Sequence, residues 1–328
     1  MATEEKKPTD LFTNLASPDG HFRRKPSTFR HTISHDSPFP PERGRYALYF
    51  NYGCPWAHRT LITRSLKGLE EVVEAVEVDG MDKAVGKGWF FEGTTGPTSD
   101  PLHEGVKYLR ELYEMAEPGF EGRVTVPVLW DKKTETIVNN ESSEIIRIFC
   151  SAFDEFLPVE KREVSKGAAA LLPSHLEKEI DEMNAWIYET VNNGVYKAGF
   201  ATTQEAYEGA VYPLFESLDR VEKILGKEGH GPFLFGEHIT DADIRLFTTI
   251  ARFDVGYYTM FKCNLKMIRH DYPRIHDWFR KLYWDEGDLT NGGAFRKTTN
   301  LEISKRGYAG AARMTVVPVG PVPDVLPL

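Results

Sequence analysis

Strand patterns end near residue 140 of this 328-residue chain, and only helical spacing follows. The runs RYALYFN (45–51), VVEAVEV (72–78), VTVPVLWD (124–131) and TIVNN (136–140) are short and apolar or alternating, as strands require. Helical patterns lie between them. Pro55 suits a first helical turn and Gly68 a C-terminal cap, so a helix is expected to run to about Lys67. HEGVKYLRELYEMA (103–116) keeps helical spacing through Val106, Leu109 and Tyr113. ESSEIIRIFCSAF (141–153) reads as a third helix, and the Gly-, Thr- and Pro-bearing stretch 79–101 as a long loop. The order βαβαββα is that of a thioredoxin-like α/β domain, here over residues 45–155.

An all-α domain is expected over 160–286. LEKEIDEMNAWIYETV (176–191) puts Leu176, Ile180, Met183, Ile187 and Val191 on one face. QEAYEGAVYPLFESLDRVEKIL (204–225) repeats that spacing, with Pro213 as a kink. In ITDADIRLF (239–247), Thr240 can cap the N–H of Asp243, whose carboxylate can reach back, and Ile239 and Ile244 can staple the turn. A last helix runs through IHDWFRKLYW (275–284). Residues 1–44 read as an extended arm and 287–328 as a wrapping tail. The fold class is thus an α/β thioredoxin-like N-terminal domain plus an all-α C-terminal domain.

Charge and cysteine usage narrow the function. A net charge of −9 argues against nucleic acid as the main partner, since a phosphate-binding surface needs a basic excess. No apolar stretch approaches the roughly 20 residues that cross a bilayer, so no membrane partner is expected. MATEEKKPTD (1–10) lacks the apolar core of a secretory signal. Cys54, Cys150 and Cys263 are too few and too scattered for a disulfide framework, and neither a CxxC pair nor zinc spacing is present. A reduced, cytoplasmic, metal-free protein is expected.

Cys54, in NYGCPWAHRT (51–60), falls where a strand ends and a helix begins. First-turn N–H groups pointing at its sulfur would lower the thiol pKa and favour the nucleophilic thiolate. The plainer alternative is an inert cysteine at a helix start. With no second cysteine in CPWA, a mixed disulfide on Cys54 needs an outside thiol to resolve it, which points to glutathione. Cys150 and Cys263 read as structural. Val126–Pro127 resembles the thioredoxin-fold bend before a cis-proline, where the preceding peptide pairs with the cysteinyl part of glutathione; an ordinary edge-strand proline is the alternative.

CPWAHR (54–59), RVTVPVLWD (123–131), NNESSEIIR (139–147), GVYKAGF (194–200), FD..Y...FKCN (253–264) and VPVGP (317–321) together resemble the glutathionyl-hydroquinone reductases, or Xi-class glutathione transferases, from about residue 20 to the end. The resemblance implies reduction of S-glutathionyl-hydroquinones by glutathione through Cys54, and a homodimer. It implies Tyr196 as proton donor, Tyr257 near the thiol, and Tyr308 in the place of the family's tail tyrosine. The tail departs from the family here, reading KRGYAGAARMTVVPVGP where many members have a His–Tyr pair and Ile–Asn–Pro. It further implies that Trp89, Arg123, Val126, Pro127, Glu141 and Ser142 bind glutathione. Apart from the resemblance, Glu141 and Ser142 would be a first-turn acid and a helix cap, Arg123 a surface arginine and Trp89 a loop anchor. Two rivals remain: an omega-like thioltransferase or dehydroascorbate reductase, and a non-catalytic binder of glutathione conjugates.

Overall fold

The computed structural model describes residues 15–82, 88–93, 96–228 and 230–328. Its central sheet is built on β1 (Tyr46–Phe50), every residue of which is buried. A strand covered on both faces explains the unbroken apolar run. α1 (Pro55–Lys67) crosses over to β2 (Val73–Glu77), which pairs with β1 in parallel. Four short strands follow: β3 (Gly80–Asp82), β4 (Gly88–Phe90), β5 (Glu92–Gly93) and β6 (Gly96–Pro97). After α2 (Leu109–Ala116), β7 (Val128–Asp131) and β8 (Thr136–Asn139) add antiparallel strands, giving the sheet order β2-β1-β7-β8. α3 (Ser142–Ser151) closes the unit. A buried ion pair ties the entry of β1 to the end of β7. Arg45 Nε and Nη2 donate to the two carboxylate oxygens of Asp131 at 2.8 and 2.6 Å.

Two expectations are corrected. Stretch 79–101 is not one long loop: among the described residues it forms two hairpins, β3–β4 and β5–β6. Gly80 permits the first, because a Cβ there would lie 2.2 Å from the Phe90 ring. Residues 103–108 do not wind into α2. They pair with the hairpin region instead: Phe91 N–H donates to Lys107 C=O at 3.1 Å and Asp100 N–H to Val106 C=O at 2.7 Å. Glu111 then takes the Lys107 and Tyr108 N–H groups at 2.8 and 2.9 Å and starts the helix late. The wrapping tail, for its part, has regular structure of its own. It contains the helix Leu301–Ala311, whose N-cap Asn300 accepts the Ile303 N–H at 3.0 Å.

The second half contains the helices Glu177–Ile187, Gly194–Phe200, Gln204–Leu225, Asp241–Arg252 and Pro273–Trp284, with wider turns at Tyr188–Asn192 and Phe253–Tyr257. Pro213 lies inside Gln204–Leu225 as expected. The cap at Thr240 forms as read: Thr240 N–H and Oγ1–H donate to Asp243 Oδ2 at 2.9 and 2.8 Å. Asp243 Oδ1 also accepts Leu234 N–H at 3.0 Å and Trp278 Nε1–H at 2.9 Å. Asp243→Ala should therefore lower the unfolding free energy by about 3 kcal/mol, since several buried donors lose their acceptor. Urea denaturation followed by tryptophan fluorescence checks this; a loss under about 1 kcal/mol would contradict it.

Two apolar cores result, one under the sheet and one among the helices. α1 serves both, because its Ile62 and Leu66 belong to the helical core while Ala57 and Leu61 face the sheet. Over residues 15–44 the arm has little regular structure yet is clamped: Phe22, Ile33 and Phe39 are buried, and Arg30 bridges to Asn139 at the sheet edge. Beyond residue 311 the tail is held by Lys305 Nζ–H bonds to Val319 and Pro321 C=O at 2.6 and 2.7 Å.

Candidate active site

Asn51 shapes the turn after β1. Its Oδ1 accepts Gly53 N–H at 2.9 Å, its Nδ2–H donates to Val78 C=O at 2.7 Å, and its C=O accepts Cys54 N–H at 3.0 Å. That leaves Cys54 as the N-cap of α1, with extended backbone and Pro55 first in the helix. The Val126–Pro127 peptide is cis, and Cys54 Sγ lies 3.5 Å from Val126 O. Thiol and bend, read separately from the sequence, are thus neighbours.

The helical domain grips this turn through Arg252, at the end of Asp241–Arg252. Its guanidinium donates to Tyr52 C=O at 2.7 Å and Gly53 C=O at 3.3 Å. It also meets His58 Nδ1 at 2.9 Å. His58 is buried and its pKa is held well below the ordinary value by burial and by Arg252, so it stays neutral. Its Nε2 lies 3.1 Å from Thr298 Oγ1, next to the tail helix.

Three tyrosine hydroxyls meet in a chain. Tyr196 Oη lies 2.9 Å from Tyr308 Oη, which lies 2.7 Å from Tyr257 Oη. Tyr308 joins this cluster although the surrounding tail sequence differs from the family pattern. The Tyr196 ring sits 6.3 Å from that of Trp56, two residues past Cys54. Burial, then the charge of Cys54, pushes the Tyr196 phenol up, and burial pushes Tyr257 and Tyr308 well up.

The expectation of a lowered thiol pKa is overturned for the free protein. Burial pushes Cys54 up from its ordinary 9.0. The N–H groups of Ala57 and Trp56 and the charges of Arg252 and Arg24 oppose it, as the helix-start argument anticipates, but burial prevails.

A cleft of about 620 Å³ runs beside the turn. Arg123, Val126, Pro127, Glu141 and Ser142 all line it. At present Glu141 acts as the helix cap: its Oε1 accepts Ser143 N–H at 3.1 Å, and its Oε2 accepts Ser27 Oγ–H, from the arm, at 3.0 Å. Ser142 Oγ and both amide atoms of Asn184 are buried along this cleft without a hydrogen-bond partner. Such orphaned groups suit a polar ligand. Trp89 does not line the cleft; it sits on β4 opposite Met81 and packs against the sheet core. Sequence reasoning missed Arg24 and Arg252. The basic run FRRK (22–25) in an otherwise uncommitted arm is a signal for the first, and a lone arginine ending a buried helix gives none for the second.

A single-thiol turn against a cis-proline bend, backed by a helical domain, is the architecture of a glutathione transferase. Residues 53–152 match the family described as glutathione S-transferase, N-terminal domain, and residues 204–281 its C-terminal domain. The chain is 49% identical to glutathione S-transferase omega-like 2 of Schizosaccharomyces pombe, covering 95% of this chain and 97% of that protein. It is 43% identical to a glutathionyl-hydroquinone reductase of Escherichia coli, over 95% of this chain and 90% of the other. It also superimposes, with TM-score 0.83, on the Xi glutathione transferase of Saccharomyces cerevisiae in complex with glutathione, at 41% identity over 93% of this chain and 100% of that one. The chain belongs to the Xi-class glutathione transferases, the family that includes the glutathionyl-hydroquinone reductases.

Proposed function

We propose that this chain reduces S-glutathionyl-hydroquinones to hydroquinones, with glutathione as reductant and a mixed disulfide at Cys54 as intermediate. The observation that carries the reading is that Cys54 Sγ lies against the Val126–Pro127 bend, which lines a polar cleft, while Trp56, two residues past the thiol, packs against the Tyr196 ring. Glutathione would enter with its cysteinyl backbone against Val126. Its γ-glutamyl carboxylate would meet Ser142 at the N-terminus of α3, and its ammonium Glu141. Arg123 would take a carboxylate or backbone carbonyl. Trp89 would contribute only by approaching from its hairpin.

Cys54, once deprotonated, attacks the sulfur that joins glutathione to the ring. The carbon–sulfur bond breaks, its electron pair stays with the ring carbon, and Tyr196 supplies the proton. Hydroquinone leaves, and glutathione remains on Cys54 as a disulfide. A second glutathione attacks that disulfide, releasing oxidised glutathione and the Cys54 thiolate. The Tyr196 phenolate regains its proton from solvent, with Tyr308 and Tyr257 as hydrogen-bond partners.

The pH dependence follows from two groups needed in opposite states. Attack requires Cys54 without its proton, and bond cleavage requires Tyr196 with its own. Both pKa values are raised, so activity should climb through neutral pH with the thiolate fraction. It should fall only at higher pH, as the phenol ionises. A kcat/KM profile with a maximum below pH 7 would contradict this assignment.

The deciding assay supplies glutathionyl-menadione and glutathionyl-mercaptoethanol to purified protein. Release of the quinol from the first supports the reductase reading. Turnover of the second alone would make the chain an omega-like thioltransferase, and binding without turnover of either would make it a carrier. The reading also includes a cytoplasmic location and a homodimer. The free state of all three cysteines supports the first, and light scattering on the purified protein tests the second.

A further inference from the structure

We propose that Arg24, carried by the N-terminal arm, is a charge-positioning residue for the reaction at Cys54, so that the arm is a working part of the site and not a strap. This rests on the reductase reading above and deepens it.

The matched family segments begin at residue 53, yet the arm lines the cleft through Arg24, Lys25, Ser27 and Arg30. Most of the basic side chains there are neutralised locally: Arg30 by Glu144, Arg147 by Asp181 and Asp241, and Arg245 by Asp241. Arg24, Lys25 and Arg123 have no carboxylate partner among the described residues. Arg24 and Arg123 are close enough that the charge of Arg24 helps lower the Arg123 pKa, after burial. Two unpaired guanidiniums that repel each other in a cleft are stable company only for an anion.

Arg24 is held with definition. Its Nε–H donates at 2.9 Å to Asn193 Oδ1, the residue that begins the helix bearing Tyr196. Its guanidinium carbon lies 4.5 Å from the Trp56 ring centroid and 5.2 Å from that of Tyr196. It therefore stands between the helix start that carries the sulfur and the proposed proton donor. During attack, one negative charge leaves Cys54 Sγ and arrives on the ring carbon as the carbon–sulfur bond breaks, and the Tyr196 proton neutralises it. A cation over Trp56 and Tyr196 favours both ends of that path. The other groups facing Cys54 are Arg252 from Asp241–Arg252, Tyr196, and the Val126 carbonyl oxygen; His58, on α1, is neutral. Arg252 is committed to the backbone of the turn. Among the described residues Arg24 bonds to Asn193 and not to that turn, so its charge is not committed to the turn's carbonyls.

The test compares Arg24→Met, which keeps the stacking stem without charge, with Arg24→Lys, which restores charge. Iodoacetamide alkylation of Cys54 is followed against pH, and steady-state turnover is measured with glutathionyl-menadione. Arg24→Met should move the alkylation midpoint upward by about half a pH unit. It should also lower kcat about tenfold while KM changes by less than about threefold. Arg24→Lys should recover most of both. An unchanged alkylation profile in Arg24→Met, or a lysine variant no better than the methionine variant, overturns the proposal. If the wild-type protein frees no quinol, the reductase reading fails by itself, and the alkylation profiles alone then support or overturn the charge role of Arg24.

Discussion

Cys54→Ser should lower kcat for glutathionyl-hydroquinone reduction by about 10³-fold or more, with conjugate binding largely kept. The hydroxyl fits the same N-cap, and the Asn51 and Arg252 bonds that shape the turn do not involve the sulfur. A serine oxygen cannot form the mixed disulfide, so the loss falls on the chemical step. Mass spectrometry of wild-type protein after a stoichiometric substrate pulse should find one glutathione on residue 54. Cys150 and Cys263 should stay unmodified, since both are buried and burial pushes both thiols up. Calorimetry with S-methylglutathione, which has no leaving group, reads binding apart from turnover. Undiminished turnover in the serine variant, or a glutathione adduct found only on another cysteine, would end the mechanism.

Tyr196→Phe is the second large effect. Removing a general acid typically costs about 10²–10⁴-fold, and the lower end, about 10², is expected here because solvent can still protonate the ring slowly. The phenyl ring keeps its packing against Trp56, Phe200 and Phe261, so KM should move little. The alkaline fall of the pH profile should disappear with the hydroxyl. Tyr308→Phe should be milder, since it removes a partner of the donor and leaves the donor in place. Equal losses in the two variants would mean that the hydroxyl chain acts as a structural unit and that neither phenol is the acid.

Local patterns carried most of the fold into view. The strands β1, β2, β7 and β8, the helices α1 and α3, the Thr240 cap and the Pro213-bearing helix depend on neighbours in sequence, and these formed close to the reading. What failed depended on partners far away or on burial. Residues 103–108 have helical spacing but are captured by the hairpin next to them. The sulfur of Cys54 has the helix start that was expected, but the packing above it, which no local stretch encodes, reverses the direction of its pKa. At the site, Arg123, Val126, Pro127, Glu141 and Ser142 come together around one cleft, and Tyr196, Tyr257 and Tyr308 around one another. Trp89 was placed by resemblance alone, and its hairpin holds it against the sheet core. Arg24 had only its basic run as a signal and Arg252 none, because their significance lies in what they touch, across 169 and 200 residues of chain.

Arg252 also limits how the molecule can breathe. Swinging the two halves apart like a clamshell would strip Tyr52 and Gly53 of the donor that satisfies their carbonyls and would pull on His58 in the same movement. Guests must therefore come and go past side chains at the rim, with the two lobes staying locked. A protease fragment ending before residue 252 would lack the bolt and lose the shape of the reactive turn.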